Sequence, residues 1–240
     1  MRAKMRILAI ESSAAAASAA IVTDDILTAE YTVNFKQTHS QTLLPMIDEI
    51  CQRTKTPVES VDLIAVSAGP GSFTGLRIGS ATGKGIGLAL DKPVVSVPTL
   101  DAMAMNFIGT DRLICPMMDA RRGNVYTGIY RFNYDDGGGK LRNLEAVSLI
   151  QAEKLIDMVN EMREPVIFSG DAGLLYKDLI KTKACVPYVL APVHMAQPRA
   201  AAVAALGGIL YHEGMAVNAR EHVPFYLRAT QAERERAGLN

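Results

Sequence analysis

Apolar and polar positions change period several times along the chain, and the changes mark out its elements. Residues 5–10, 18–22 and 26–33 are short apolar runs, separated by small residues at 11–17 and by the Asp24–Asp25 pair. Such runs, bounded by turn residues, predict three strands joined as an antiparallel meander. Leu43, Leu44, Ile47, Ile50 and Cys51 then fall at i, i+1, i+4, i+7 and i+8, one face of a helix. Thr38 and Gln41 stand at capping-box spacing, so this helix is expected to begin near His39 and run to 53, with Pro45 kinking it.

Residues 62–68 read as a buried strand ending in Gly69-Pro70-Gly71, followed by a helix over about 74–90 and a strand at 94–97. Strands alternating with helices after a meander imply a mixed sheet with helices on its faces. After a helix near 100–107 the order roughly recurs. Strands are expected at 113–119 and 125–133, a flexible turn at 135–139, and a returning strand at 141–148. A helix at 151–162, a strand at 166–169, a helix at 173–180 and a strand at 186–190 complete the second set. Two lobes, residues 1–107 and 108–240, are the simplest organisation. Pro198 is placed to open a late helix whose positions 200–210 are apolar on nearly all faces, hence buried. The polar tail 229–240 reads as partly disordered.

The stretch from Gly69 to Gly87 is unusual. Gly71, Gly75, Gly79, Gly83 and Gly87 recur every four residues, and each step drifts only about 40° around a helix. The row therefore lines one slowly winding groove. Each interior glycine costs roughly 0.8–1 kcal/mol relative to Ala, so close approach of another backbone is expected to offset it. That backbone belongs either to the protein's own sheet or to a second chain, and the second chain is the preferred reading. Arg77 and Lys84 exclude a membrane span.

Composition narrows the function classes. Lys and Arg total 25, as do Asp and Glu, so no long-range pull on nucleic acid is expected, although a local basic patch remains compatible. Aromatics are few and Trp is absent, which argues against a base-stacking surface. Three separated cysteines, Cys51, Cys115 and Cys185, read as buried thiols in a reducing compartment, hence a cytoplasmic protein. No apolar run is long enough to span or enter a membrane.

Catalytic motifs are scarce. His39, His194, His212 and His222 form no HxxxH or HxH pair, so no metal site is expected. No G-x-S-x-G elbow is present. Gly83–Lys84 resembles the end of a phosphate loop, but Ile78 and Gly85 occupy its required positions. A weak adenine-nucleotide site is left at Ser12, Ser13, Gly69, Gly71 and Ser72, where a glycine turn enters a helix. Glu11, read as an anion, would repel a phosphate there. Asp119, Arg121 and Arg122 before Gly123 read equally as a functional strand end or a salt-bridged turn.

Several segments together resemble the bacterial TsaB (YeaZ) family. Gly69-Pro70-Gly71-Ser72-Phe73-Thr74-Gly75-Leu76-Arg77-Ile78-Gly79 is similar to its hallmark. Leu8-Ala9-Ile10-Glu11-Ser12-Ser13 resembles its first strand and turn, which more often reads Asp-Thr-Ser. His39–Ser40 through Leu43-Leu44-Pro45, Asp119-Ala120-Arg121-Arg122-Gly123-Asn124-Val125-Tyr126 and Tyr226-Leu227-Arg228 also match. The resemblance implies an α/β, two-lobed actin-like ATPase (ASKHA, RNase H-like) fold, with mixed sheets flanked by helices. It implies a non-catalytic scaffold subunit for N6-threonylcarbamoyladenosine on tRNAs reading codons that begin with A. TsaD would be the catalytic partner, TsaE a third subunit, and tRNA would be met only through the complex; a homodimer is compatible with the free chain. No cofactor is required. The implied interface uses the first two helices: His39, Leu43, Leu44, Met46, Ile47, Gly75, Arg77, Ile78, Gly79, Thr82, Gly83 and Ile86. Gly79→Leu or Gly83→Leu is then expected to abolish the complex without unfolding the chain. Other readings are an autonomous actin-like ATPase or kinase, and a glycoprotease-like peptidase.

Overall fold

A computed structural model describes residues 4–35, 37–135 and 138–227. The expected 229–240 tail, Arg228 and the centre of the 135–139 turn lie outside the described residues. The chain runs β1 (Arg6–Glu11), β2 (Ala17–Thr23), β3 (Ile26–Val33), α1 (His39–Thr54), β4 (Leu63–Gly69), α2 (Phe73–Leu90), β5 (Val94–Pro98) and α3 (Thr99–Met105). It continues as β6 (Leu113–Asp119), β7 (Asn124–Asp135), β8 (Gly138–Gln151), α4 (Ala152–Met162), β9 (Val166–Ser169), α5 (Asp171–Leu175), α6 (Lys177–Lys183), β10 (Tyr188–Leu190) and α7 (Ala200–His212).

The first sheet has the order β3-β2-β1-β4-β5 and the second β10-β9-β6-β7-β8. In each, a meander pairs antiparallel while the crossover strands pair parallel. This is the mixed, two-lobed actin-like arrangement. Alternation along β1 and β4 explains the layering. Leu8, Ile10, Ile64 and Val66 face α1 and α2, while Ile7, Ala9, Leu63 and Ala65 face α7. Both faces are covered, so these strands are apolar throughout rather than alternating. On the second sheet, Leu113, Cys115, Val166 and Phe168 pack under α4 and α6. Ile114, Met118, Tyr130 and Ile167 face Leu100, Met103 and Ala104 of α3, which is packed between the two sheets.

Several expectations shift. Residues 108–240 do not form one lobe: α7 returns to the first sheet, where Val203, Ala204 and Leu206 meet Ile7, Ala20 and Val97. The chain from Met215 to Leu227 stays there too, since Val94 and Val217 exchange two 2.9 Å backbone bonds. α7 opens at Ala200, with Arg199 rather than Pro198 at its cap. Arg199 pairs with Glu30 on β3, fixing that start. The expected helix at 173–180 is two short helices broken at Tyr176. At α1 the Thr38 side chain caps no backbone amide; its hydroxyl bonds Gln41 Oε1 at 2.9 Å. Glu11 ends β1 instead of opening the turn. Cys115 is buried, but Cys51 is half-buried and Cys185 exposed. Among the described residues, no helix is long and apolar enough to cross a membrane.

Candidate functional site

The turn after β1 and the loop before α2 are stitched together. Ser72 N–H donates to Ser13 O at 2.6 Å, and Ser12 Oγ donates to Gly75 O at 2.9 Å. Ser12 N–H reaches Ser67 Oγ at 3.3 Å, and Ser13 N–H donates to Glu11 Oε1 at 2.6 Å. Ser72 Oγ caps α2 by accepting from Gly75 N–H at 3.3 Å. Gly71 leaves no room for a side chain, since a Cβ would sit 2.8 Å from Ser13 Cβ. The predicted phosphate donors are thus brought together, but the amides of Ser12, Ser13 and Ser72 are all committed within the chain. Glu11 ends β1 beside this turn. It is fully buried, and desolvation raises its pKa against hydrogen bonds from Ser13, Ser67 and Ser12 that lower it. Glu11 Oε2 and Ser13 Oγ are buried without a hydrogen-bond partner.

The glycine row faces inward. A Cβ at Gly75 would lie 3.1 Å from His39 Cδ2 and closer still to Ser12 O. One at Gly79 would come under 3.0 Å of Ser12 Oγ, and one at Gly83 under 3.0 Å of Val66 Cγ2. At Gly87 it would meet Ala219 Cβ at 2.8 Å. The close neighbour is therefore the protein's own sheet and turn, and Gly75, Gly79 and Gly83 are buried. Leu43 and Met46 also turn inward, packing with Leu8, Ile10 and Ile21, while Ile47 joins that cluster and also borders an outer groove. His39 Nε2 lies 2.9 Å from Ala14 O, tying α1 to the β1–β2 turn.

What remains on the outer side is a smaller set. Leu44 is 56% exposed, and Ile47 and Ile86 line a groove of about 620 Å³ with it. Arg77 is exposed, and Ile78, Thr82 and Ile86 are half-buried beside it. The Arg77 guanidinium sits 4.0 Å above the Phe73 ring, whose centroid is 4.8 Å from that of Tyr226. Ala81 and Gly85, which the sequence reading counted as further small residues of the stretch, are exposed on this side. Gly85 has nothing within 4 Å. Its place was legible: two residues from Gly83 is about 200° around the helix, the far side from the row. Lys84 has its own task, donating to His222 O at 3.0 Å.

Between the sheets opens a cleft of about 510 Å³ lined by Ser13, His39, Ser72, Thr74, Asp119, Arg121 and Asp171. Asp119 N–H donates to Asp171 Oδ1 at 3.0 Å, and Arg121 Nη1 lies 3.2 Å from Asp119 Oδ2. Burial raises the Asp171 pKa, with nearby Asp119 adding to the rise. Among the described residues, no group of three His, Cys, Asp or Glu side chains is placed to hold a metal ion.

Residues 30–236 match the family model described as TsaD: tRNA N6-adenosine threonylcarbamoyltransferase. The tRNA threonylcarbamoyladenosine biosynthesis protein TsaB of Bacillus subtilis is 32% identical, over 95% of this chain and 96% of that one. Its Escherichia coli counterpart of the same name is 28% identical over 98% and 99%. The solved structure of YeaZ from Pseudomonas aeruginosa superposes with a TM-score of 0.76 at 26% identity, over 93% of this chain and 100% of that one.

Proposed function

The chain belongs to the TsaB (YeaZ) family and carries a TsaD-type domain, and from that premise we propose that it serves threonylcarbamoyladenosine formation on tRNA as a non-catalytic subunit. Its task is to dock a TsaD-type transferase through the outer face of α1 and α2, with a small ATPase of the TsaE kind joining the pair. The observation that carries the reading is that outer face. Leu44, Ile78, Ala81, Thr82, Gly85 and Ile86 lie on adjoining turns, and among the described residues nothing beyond its own helix comes within 4 Å of a Cβ at Gly85. A partner of the same domain type offers corresponding helices, so the two chains can pair by an approximate two-fold, each face against its equivalent. The same geometry lets the free chain pair with a second copy, which light scattering after gel filtration detects.

The glycine substitutions expected from the sequence are poor tests, since Gly79 and Gly83 hold the fold itself. Gly85→Arg and Leu44→Glu change only the outer face. Each is expected to abolish co-purification with the transferase while leaving the circular dichroism spectrum and Tm as in the parent chain. If both variants still co-purify at parent yield, the docking face lies elsewhere and the reading fails.

A further inference from the structure

The turn between β6 and β7 is closed by Ala120 N–H donating to Asn124 O at 3.0 Å and Asn124 N–H to Arg121 O at 3.1 Å. Three consecutive residues there take left-handed φ: Arg121 at 68°, Arg122 at 57° and Gly123 at 78°. Such turns favour Asn, Asp and Gly, because a Cβ is crowded in this region. Other described non-glycine residues with positive φ stand singly: Asp24 in a hairpin turn, and Lys55, Asp91 and Arg163 as helix C-caps. Only Arg121 and Arg122 take it in succession.

A strained turn that persists is held by its surroundings. Asn124 Nδ2 bonds the carbonyls of Arg121 and Arg122, each at 3.3 Å, and Gln151 Nε2 holds Asn124 Oδ1 at 3.1 Å. Ala152 N–H clamps Gly123 O at 2.9 Å, pinning the tip to the start of α4. The Arg121 side chain is 86% exposed even while it pairs with Asp119. Arg122 is exposed, and no ion pair or hydrogen bond engages its guanidinium among the described residues. Exposed Lys154 stands two residues beyond the clamp, equally unpaired. The nearby carboxylates are otherwise engaged: Asp119 by Arg121, Asp171 by backbone amides, Glu153 by Lys183. The tip therefore displays uncompensated positive charge on a fixed backbone, in a chain whose formal net charge is zero.

We infer that the Arg121–Arg122 turn contacts the phosphate backbone of the tRNA within the assembled complex. This rests on the function proposed above. Guanidinium forks match phosphate oxygens, and a rigid turn presents them with little ordering left to do on binding. Such contacts position the RNA and carry no sequence preference.

The test uses the complex reconstituted from this chain and the transferase, with the parent chain and with Arg121→Gly, Arg122→Gly and Arg122→Asn. Binding of fluorescently labelled tRNA is followed by anisotropy across a salt series. Each variant is expected to lose severalfold in affinity and to flatten the slope of log K against log salt by about one. Glycine and asparagine accept the left-handed backbone, so Tm is expected to hold or rise by about 1–2 °C. Unchanged tRNA affinity in a complex that still forms overturns the inference and leaves the docking reading standing. Loss of co-purification by these variants alone overturns it in favour of a protein contact, and a large fall in Tm in favour of a structural turn. Failure of the parent chain to bind the transferase is instead the failure of the proposed function.

Discussion

Replacing Gly79 and Gly85 separately by Ala sets the two sides of α2 against each other. By helix propensity alone each exchange stabilises by about 0.8–1 kcal/mol. At Gly85 nothing lies within 4 Å of the added methyl, so the gain stands. At Gly79 the methyl falls under 3.0 Å from Ser12 Oγ, 3.3 Å from Ser12 Cβ and 3.6 Å from Ile10 Cγ2. Ser12 is fully buried and its hydroxyl bonds Gly75 O, so it cannot swing into water. Overpacking such a site costs about 1–3 kcal/mol. Displacing the buried hydroxyl from its acceptor adds about 1–3 kcal/mol. Set against the propensity gain, the net loss is about 1–5 kcal/mol. In a chain of this size 1 kcal/mol moves Tm by about 2–4 °C. Gly79→Ala is therefore expected to melt roughly 2–20 °C below the parent and Gly85→Ala about 2–4 °C above it, followed by circular dichroism at 222 nm. Gly79→Ala melting at or above the parent would refute the inward packing of the row. Gly85→Ala melting below it would refute the open outer side.

Further outcomes follow from buried titratable groups. His222 is buried, with Ser96 Oγ 2.7 Å from Nδ1, and desolvation followed by the Lys84 charge lowers its pKa from 6.5. The unfolded chain then binds the proton first, so this stability is present above pH 6.5 and lost as pH falls from 6.5 toward the folded value. The unfolding free energy from urea melts is expected to drop across that window, by at most about 1.4 kcal/mol per pH unit, and His222→Gln to flatten the drop. Glu11 has the opposite linkage: its raised pKa means the folded chain holds the proton longer, so its contribution is present below pH 4.5 and lost as pH rises through the folded value. Glu11→Gln is expected to gain on the parent between pH 5 and 8; a gain that shrinks over that range contradicts the assignment. Tyr226→Ala removes the ring against Phe73 and is expected to lower Tm by about 2–4 °C in the same melting assay.

Periodicity made the element order legible, because short apolar runs and the 43-44-47-50-51 stripe obey spacings that only strands and one helix face satisfy. It also found the glycine row as a row. It could not say what the row touches, since a face has a direction only when its neighbour is known. Ser12 and Val66 supply that neighbour from 67 residues before Gly79 and 17 before Gly83, separations that no local pattern encodes. The same limit hid α7 in the first sheet: an all-apolar helix announces burial but not which sheet buries it. Glu11 reads as an anion because charge is a property of the residue type, whereas the burial that raises its pKa comes from a pocket assembled from β1, β4 and the intervening turn. The Arg121–Arg122 segment was legible as a strand end or a salt-bridged turn, but nothing in the letters shows a backbone held where arginine is disfavoured.

Under the proposed docking, the inward row and the outward face give α2 two separable tasks. Glycines let its backbone settle onto Ser12 and Val66, while Leu43, Met46, Ile47 and Ile50 seat α1 in the same apolar cluster. Both helices are thus fixed by the core beneath them, and the face above is ordered before any partner arrives. A surface ordered in advance loses less conformational entropy on docking, so modest apolar contacts suffice for a stable complex. Gly85 completes the argument. It carries the same helix penalty as the other glycines, yet among the described residues nothing beyond its own stretch of helix comes within 4 Å of where its side chain would be. All five glycines of the row are accounted for inside the chain, and under the proposed docking the one that falls off it would be accounted for by a backbone approaching from outside.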